Sequence, residues 1–440
     1  MARLSRFHSH KMERGISLAL VVISIFALFG VMALVIDVVT LYVAKADAQR
    51  SANAAALAGV KALVDGGVTA DPTNSKNQWD TACDLALVEA QRIVSQSKVG
   101  GATASLTAAN LCYGTLGSAC STACPNSGLA GTGFGVNPQV GVKVQSTVLP
   151  LFFAKFLGQS AATVSASALA EGFNSSGTSV PVASKGVLPW LIPNADPMSG
   201  GPIIDTSGGG TDGQIVSPGP SPSGIIGEQI ALTMGCTGSC ATQNPPAVTT
   251  PNNSTYYPLD LDNPSTSLPS CFAAGTVYET NVAVNNPTPM KCGDTVTLDT
   301  SVSSTTIANE TSLQCRIGAS GAGLGNGQDT IDTTSFPFQF GAGTSNPLVG
   351  HGVAAADVIS SSRAVVTIPV YNAGPGPSYL KPSSPIVVIG FVQGFVEYSG
   401  SGNPTIRVLN VSGCGTAAQM VTTGVGSDGE SAVPVRLIHP

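Results

Sequence analysis

The chain has 440 residues, of which only 10% are charged and 43% are apolar, with a net charge of −6 and a mean hydropathy of +0.27. This composition excludes a solvated disordered polymer, and an acidic balance without a long basic run excludes a dedicated nucleic-acid binder. Only four histidines are present, two of them (His8 and His10) ahead of the first apolar segment, which leaves His351 and His439 for acid–base chemistry in all that follows.

That segment, Ile16 to Ile36, is an uncharged run long enough to cross a bilayer core of about 30 Å at 1.5 Å per residue. Arg3, Arg6, Lys11 and Arg14 precede it against the single acid Glu13, so the positive-inside rule keeps residues 1–15 in the cytoplasm and exports everything after Asp37. A cleaved signal peptide fits less well. The apolar run exceeds a signal core of roughly 7–15 residues, and no small-residue cleavage site follows it. The exported part carries 15 basic and 24 acidic residues of the chain's 19 and 25.

Beyond the run, Asp37 to about Val64 is alanine-rich and free of proline, and the spacing predicts that the anchor helix continues as one rod. Ala44, Ala48, Ala52 and Ala56 form an i+4 stripe, either a face on which another helix approaches closely or simple alanine helix propensity. Gly66–Ser75 breaks the helix, and a second follows from about Trp79 to Ser97. Gly100 to Asn137 reads as a glycine- and cysteine-rich loop. Val140, Val142 and Val144 alternate as a strand, Pro150 to Gly158 reads as a short helix, and Thr163–Ala170 returns as a strand. Residues 37–172 are therefore expected to form an exported α+β module, with 173–180 as linker. Residues 181–440 form a β-rich exported domain whose clearest strands are Ala364–Val370, Ile386–Glu397, Thr405–Val411 and Val433–Ile438.

All ten cysteines (Cys83, Cys112, Cys120, Cys124, Cys236, Cys240, Cys271, Cys292, Cys315 and Cys414) lie beyond the apolar run, and an even number on the exported side predicts disulfides. The spacing leaves their pairing open. It also lacks the C-x-x-C pairs or nearby histidines that a zinc site wants.

Taken together, these pieces resemble the TadG-like pilus-assembly proteins of tight-adherence (Flp pilus) systems. The family's N-terminal pattern appears as Arg14-Gly15, Ile36-Asp37, Leu41-Tyr42, Gln49 and Ala52-Asn53-Ala54-Ala55-Ala56-Leu57-Ala58-Gly59, with Ala48 and Asn53 departing from the usual Leu and Asp. Residues 142–170 resemble the strand–helix–strand that follows in TadE- and TadG-like proteins. Lys185–Trp190 and Tyr256–Pro264 are looser likenesses to longer members. Pilins and TadE-type pseudopilins carry a glutamate five residues after a cleavage glycine. Here Leu20 holds that position after Gly15, so prepilin-peptidase processing is not expected. The resemblance implies a single-pass protein of the cytoplasmic (inner) membrane, with its bulk periplasmic or extracellular, that meets other pilus-assembly membrane proteins or pseudopilins. It implies no enzymatic activity.

The residues themselves offer little chemistry. Asp299, Ser301 and Ser303 spell the D-x-S-x-S of a metal-ion-dependent adhesion site, yet a Ser/Thr-rich surface turn accounts for them as well. Asp260, Asp262 and Asn263 could bind Ca²⁺ but lack the glycine and distal glutamate of an EF-hand loop. The glycines from Gly321 to Gly327 do not form a nucleotide loop, and neither His351 nor His439 lies in a triad motif. Asp37 reads as a solvated boundary residue. No catalytic, cofactor or metal site is expected, and no small-molecule substrate. The reading is a membrane-anchored, non-enzymatic component of Flp pilus assembly, with a membrane-tethered surface adhesin acting through the β-rich domain as the alternative.

Overall fold

A computed structural model describes residues 11–69, 79–115, 119–125, 134–135, 137–151, 153, 161–173, 182–207, 213–217, 220–236, 255–264, 267–272, 274–302, 311–319, 327–334, 338–372, 386–398, 403–414, 425–426 and 433–438. The helix α1 spans Lys11–Asp65, 55 residues, or about 80 Å at 1.5 Å each. It passes through the end of the apolar run without a break, as its content of Ala, Leu and Val and its lack of proline dictate. The second helix, α2, spans Trp79–Ser95 and carries Asp80 in its first turn and Arg92 in its last, both favourable to the helix dipole.

Three strands follow: β1 (Leu111–Thr115), β2 (Pro138–Pro150) and β3 (Ala161–Gly172). They pair antiparallel, with Val140 opposite Ala170, Val142 opposite Ala168 and Val144 opposite Ala166. Alternation decides which face is which. Val164, Ala166, Ala168 and Ala170 point inward, while Ser165 and Ser167 point away from the core. The helix α1 packs across β2 and β3, and α2 packs on α1. Two expectations change here. Part of the anticipated loop at Gly100–Asn137 is the strand β1, held by buried Leu111 and Tyr113 and by the Cys112–Cys120 disulfide. Pro150, expected to open a short helix, instead ends β2, where it lies opposite Ala161. The rest of that segment lies mostly outside the described residues.

The β-rich unit is built on one eight-stranded mixed sheet. Its strands are β4 (Trp190–Pro193), β5 (Gln229–Ala231), β6 (Thr233–Met234), β7 (Thr255–Pro258), β8 (Thr295–Val296), β9 (Val365–Tyr371), β10 (Ile386–Glu397) and β11 (Thr405–Gly413). The order is β5-β11-β10-β9-β4-β7-β6, with β8 paired to β10. The strands β9 to β11 run almost wholly buried, as near-continuous apolar stretches with two covered faces do. Two short helices, α3 (Val277–Ala283) and α4 (Thr311–Ile317), were not anticipated. The first starts with a capping box in which Thr276 and Glu279 satisfy each other's backbone N–H groups. The two looser likenesses, Lys185–Trp190 and Tyr256–Pro264, meet in this sheet, with Pro258 opposite Trp190 and Tyr257 opposite Leu191.

The last strand, β12 (Val435–Ile438), forms near where it was expected but does not join the β-rich sheet. It pairs antiparallel with β3, Val435 opposite Gly172 and Ile438 opposite Leu169, and so completes the sheet of the N-terminal module. Arg436 seals this pairing by donating to buried Glu171 at 2.7 Å from Nε.

Four disulfides are described: Cys83–Cys124, Cys112–Cys120, Cys271–Cys315 and Cys292–Cys414. Cys236 is also disulfide-bonded, Cys240 lies outside the described residues, and no described cysteine is free. Cys120 and Cys124, three residues apart in the gap between them, take different partners.

Candidate functional site: the seat of the anchor helix

From Leu18 to Ile36 the large apolar side chains of α1 are exposed along their whole length, among them Phe26 at 70% and Phe29 at 64%. An exposed apolar helix of this length fits a single-pass membrane anchor. At Asp37 the helix changes role, and from there on one side of it is the core of the module.

The alanine stripe is that side. Ala44, Ala48, Ala52 and Ala56 are each fully buried, in one cluster with Val140, Val142, Ala166 and Ala168 of the sheet. The stripe is thus a close-packing surface inside the chain's own core, shared with the sheet and with Ala82, Ala86 and Ala90 of α2. It is not open to a helix of another protein. Small residues are needed because helix and strand approach tightly. A Cβ added at Gly172 would stand 2.7 Å from Val64, and one at Gly59 would stand 3.0 Å from Val140.

Polar side chains of α1 fix its register on β3. Gln49 donates to the carbonyl of Ser167 at 3.0 Å, and Lys45 donates to the carbonyl of Ser165. Both carbonyls belong to the part of β3 that β12 does not reach, so these contacts cover a strand edge that would otherwise be open. At the membrane end Asp37 is buried, at 4% exposure, and its carboxylate accepts the backbone N–H of Phe153 at 3.1 and 3.4 Å. The expectation of a solvated boundary residue is therefore corrected: the acid ties the β2–β3 connection to the point where α1 leaves the apolar run.

At the other end α1 meets the β-rich unit. Asp65 is fully buried and accepts from Lys61 Nζ at 2.5 Å and from Gln393 Nε2 of β10 at 2.9 Å, while Asn410 of β11 donates to Thr69. Burial holds the Asp65 carboxyl above its ordinary value, against the lowering pull of Lys61 and Gln393. Asp37 and Asp65 are 28 positions apart on one helix, so the β-rich unit is held about 42 Å from the end of the apolar run.

The other predicted site residues stay apart. Asp299 accepts from the N–H and hydroxyl of Ser301 within its own turn, and Ser303 lies outside the described residues. The Asp262 carbonyl is taken by the amides of Asn281 and Asn286, and the carboxylates of Asp260 and Asp262 belong to exposed residues. Among the described residues no group of three or more His, Cys, Asp or Glu could hold a metal. His351 sits in a surface turn, and His439 lies outside the described residues. A cavity of about 920 Å³ opens beside the end of α1. Lys61, Lys185, Arg316 and Arg363 are among the described residues that line it, and no histidine or acidic residue is among those. Sequence reasoning missed the roles of Asp37, Gln49 and Asp65. The signal was present, since acids and amides on the buried stripe of a helix need partners.

Compared with known families, residues 15–62 match Tad, the TadE/G-like Flp pilus-assembly family. The matched stretch is the exposed span of α1 together with the alanine stripe and the residues that seat it. No curated protein and no solved structure matches the chain.

Proposed function

We propose that this chain is a non-enzymatic, membrane-anchored component of tight-adherence (Flp) pilus assembly that helps to anchor or assemble the pilus machinery. Its N-terminus lies in the cytoplasm and its module and β-rich unit lie on the far side of the cytoplasmic membrane, where they meet pseudopilins or other assembly membrane proteins. The observation that carries the reading is the coincidence of the family match at 15–62 with one helix that is exposed where it is apolar and packed where it is alanine-rich. The helix acts as a rod. It fixes the distance of the β-rich unit from the bilayer and leaves that unit's surface to make the specific contacts.

The test has two parts. A reporter fused after Lys61 is expected to be active only outside the cytoplasm. Cells lacking the chain are expected to lose surface pili, and full piliation should return with the intact chain but not with one cut after Phe173. Normal pilus numbers in the deletion strain would overturn the proposed role.

A further inference from the structure

The exposed apolar surface of α1 does not stop where the 21-residue run stops. Val38, Val39, Tyr42 and Val43 remain 50–77% exposed beyond Asp37, although the opposite side of the same turns is packed on the sheet. Tyr42, the most exposed of them, stands about 8 Å past Asp37, at the depth of the headgroup layer that flanks a hydrocarbon core of about 30 Å. Phe153 is brought to the level of Asp37, because its backbone N–H is bound by the Asp37 carboxylate, and its side chain is 39% exposed.

We propose that Phe153 makes a second membrane contact. Its side chain enters the interfacial layer beside the anchor helix, at the acyl–headgroup boundary, with Tyr42 among the headgroups. The occupant of this apolar surface is the lipid bilayer, since the surface is continuous with the apolar span and a hydrogen bond places it at the span's end. The module then rests on the membrane at two points instead of turning freely about one helix. This inference depends on α1 spanning the bilayer.

The test uses the full chain in phosphatidylcholine vesicles, without brominated lipid or with lipid brominated either near the top or near the end of the acyl chains. The native tryptophans, Trp79 and Trp190, are 3% and 0% exposed inside the protein and give a baseline shielded from lipid. Phe153→Trp adds an indole at an exposed position, and Phe26→Trp adds one in mid-span. Both added tryptophans are expected to be quenched by brominated lipid, Phe153→Trp by the shallow bromines and Phe26→Trp by the deep ones, and Phe153→Trp should resist iodide in the buffer. Quenching of Phe26→Trp alone, with Phe153→Trp open to iodide or shielded from both quenchers, overturns the second contact and leaves the anchor standing. Failure of both added tryptophans to be quenched by lipid would overturn the anchor as well.

Discussion

The two folded parts of this molecule are packed by opposite means. The N-terminal module has a core dominated by alanine and valine, in which Ala44, Ala48, Ala52 and Ala56 share one cluster with Ala82, Ala86 and Ala90 of α2, Ala166, Ala168 and the valines of β2. The β-rich unit is filled with large side chains, including Trp190, Tyr256, Phe340, Phe391 and Phe395, and with isoleucines. Small residues bring backbones close and leave nowhere for added volume to go, whereas large ones contribute more per residue and leave cavities when shortened. The module should therefore fail by overpacking and the β-rich unit by truncation. Trp79 lies in one core and Trp190 in the other, so Trp79→Phe and Trp190→Phe backgrounds let fluorescence follow each part separately.

The largest contrast is expected from the disulfides. Cys292–Cys414 closes a separation of 122 residues in the β-rich unit and Cys112–Cys120 one of 8 in the module. The chain-entropy estimate assigns them about 5 and about 2.5 kcal/mol respectively. Replacing each pair by alanine and measuring urea unfolding through the matching tryptophan tests this, and equal losses would remove loop length as the cause. Phe391→Ala should cost the β-rich unit about 3–5 kcal/mol, seen in the Trp190 signal with Trp79 unmoved. Ala52→Leu keeps helix propensity but inserts volume at a fully buried position, and should cost the module about 1–3 kcal/mol in the Trp79 signal. A neutral Ala52→Leu would mean that the helix can lift off its sheet, and the packing contrast would fail.

The smallest effect is a pH slope confined to the β-rich unit. Glu228 is buried beside Asp196, and desolvation with the neighbouring carboxylate pushes its pKa up from 4.5 to about 7. Between those values the folded chain holds a proton that the unfolded chain has released, so stability falls as pH rises from 4.5 to 7 and is flat above. Glu228→Gln should abolish that slope in the Trp190 signal. An unchanged slope would assign it to another group.

Much of this architecture is legible in the residues. The proline-free run from Ile16 to Val64 announces one long helix, and period-two alternation gives the strands at Val140–Val144 and Thr163–Ala170. The Ile386–Glu397 strand begins and ends where its apolar stretch does. The Thr276-x-x-Glu279 box was equally readable as a helix start and would have revealed α3. What could not be read is partnership. The i+4 alanines state that a face packs closely but not against what, and β12 looks like any short apolar strand until its pairing with β3 is seen. Asp37 and Gln49 show the same limit for the seat of the helix. Each is a polar residue whose partner lies more than 110 positions away, beyond the reach of local pattern.

That distant pairing of β12 sets an order of events. Glu171 and Arg436, joined across β3 and β12, are 265 positions apart, and the whole β-rich unit is synthesised between them. During synthesis, β3 therefore emerges early and waits with its edge at Leu169–Gly172 unpaired, a template for wrong strands, until β12 arrives. Lys45 and Gln49 cover only the neighbouring stretch of that edge. The module nearest the membrane is thus the first part to appear and the last to close. A nonsense change at Val433 spares every strand of the β-rich sheet and still leaves the anchor's own domain open.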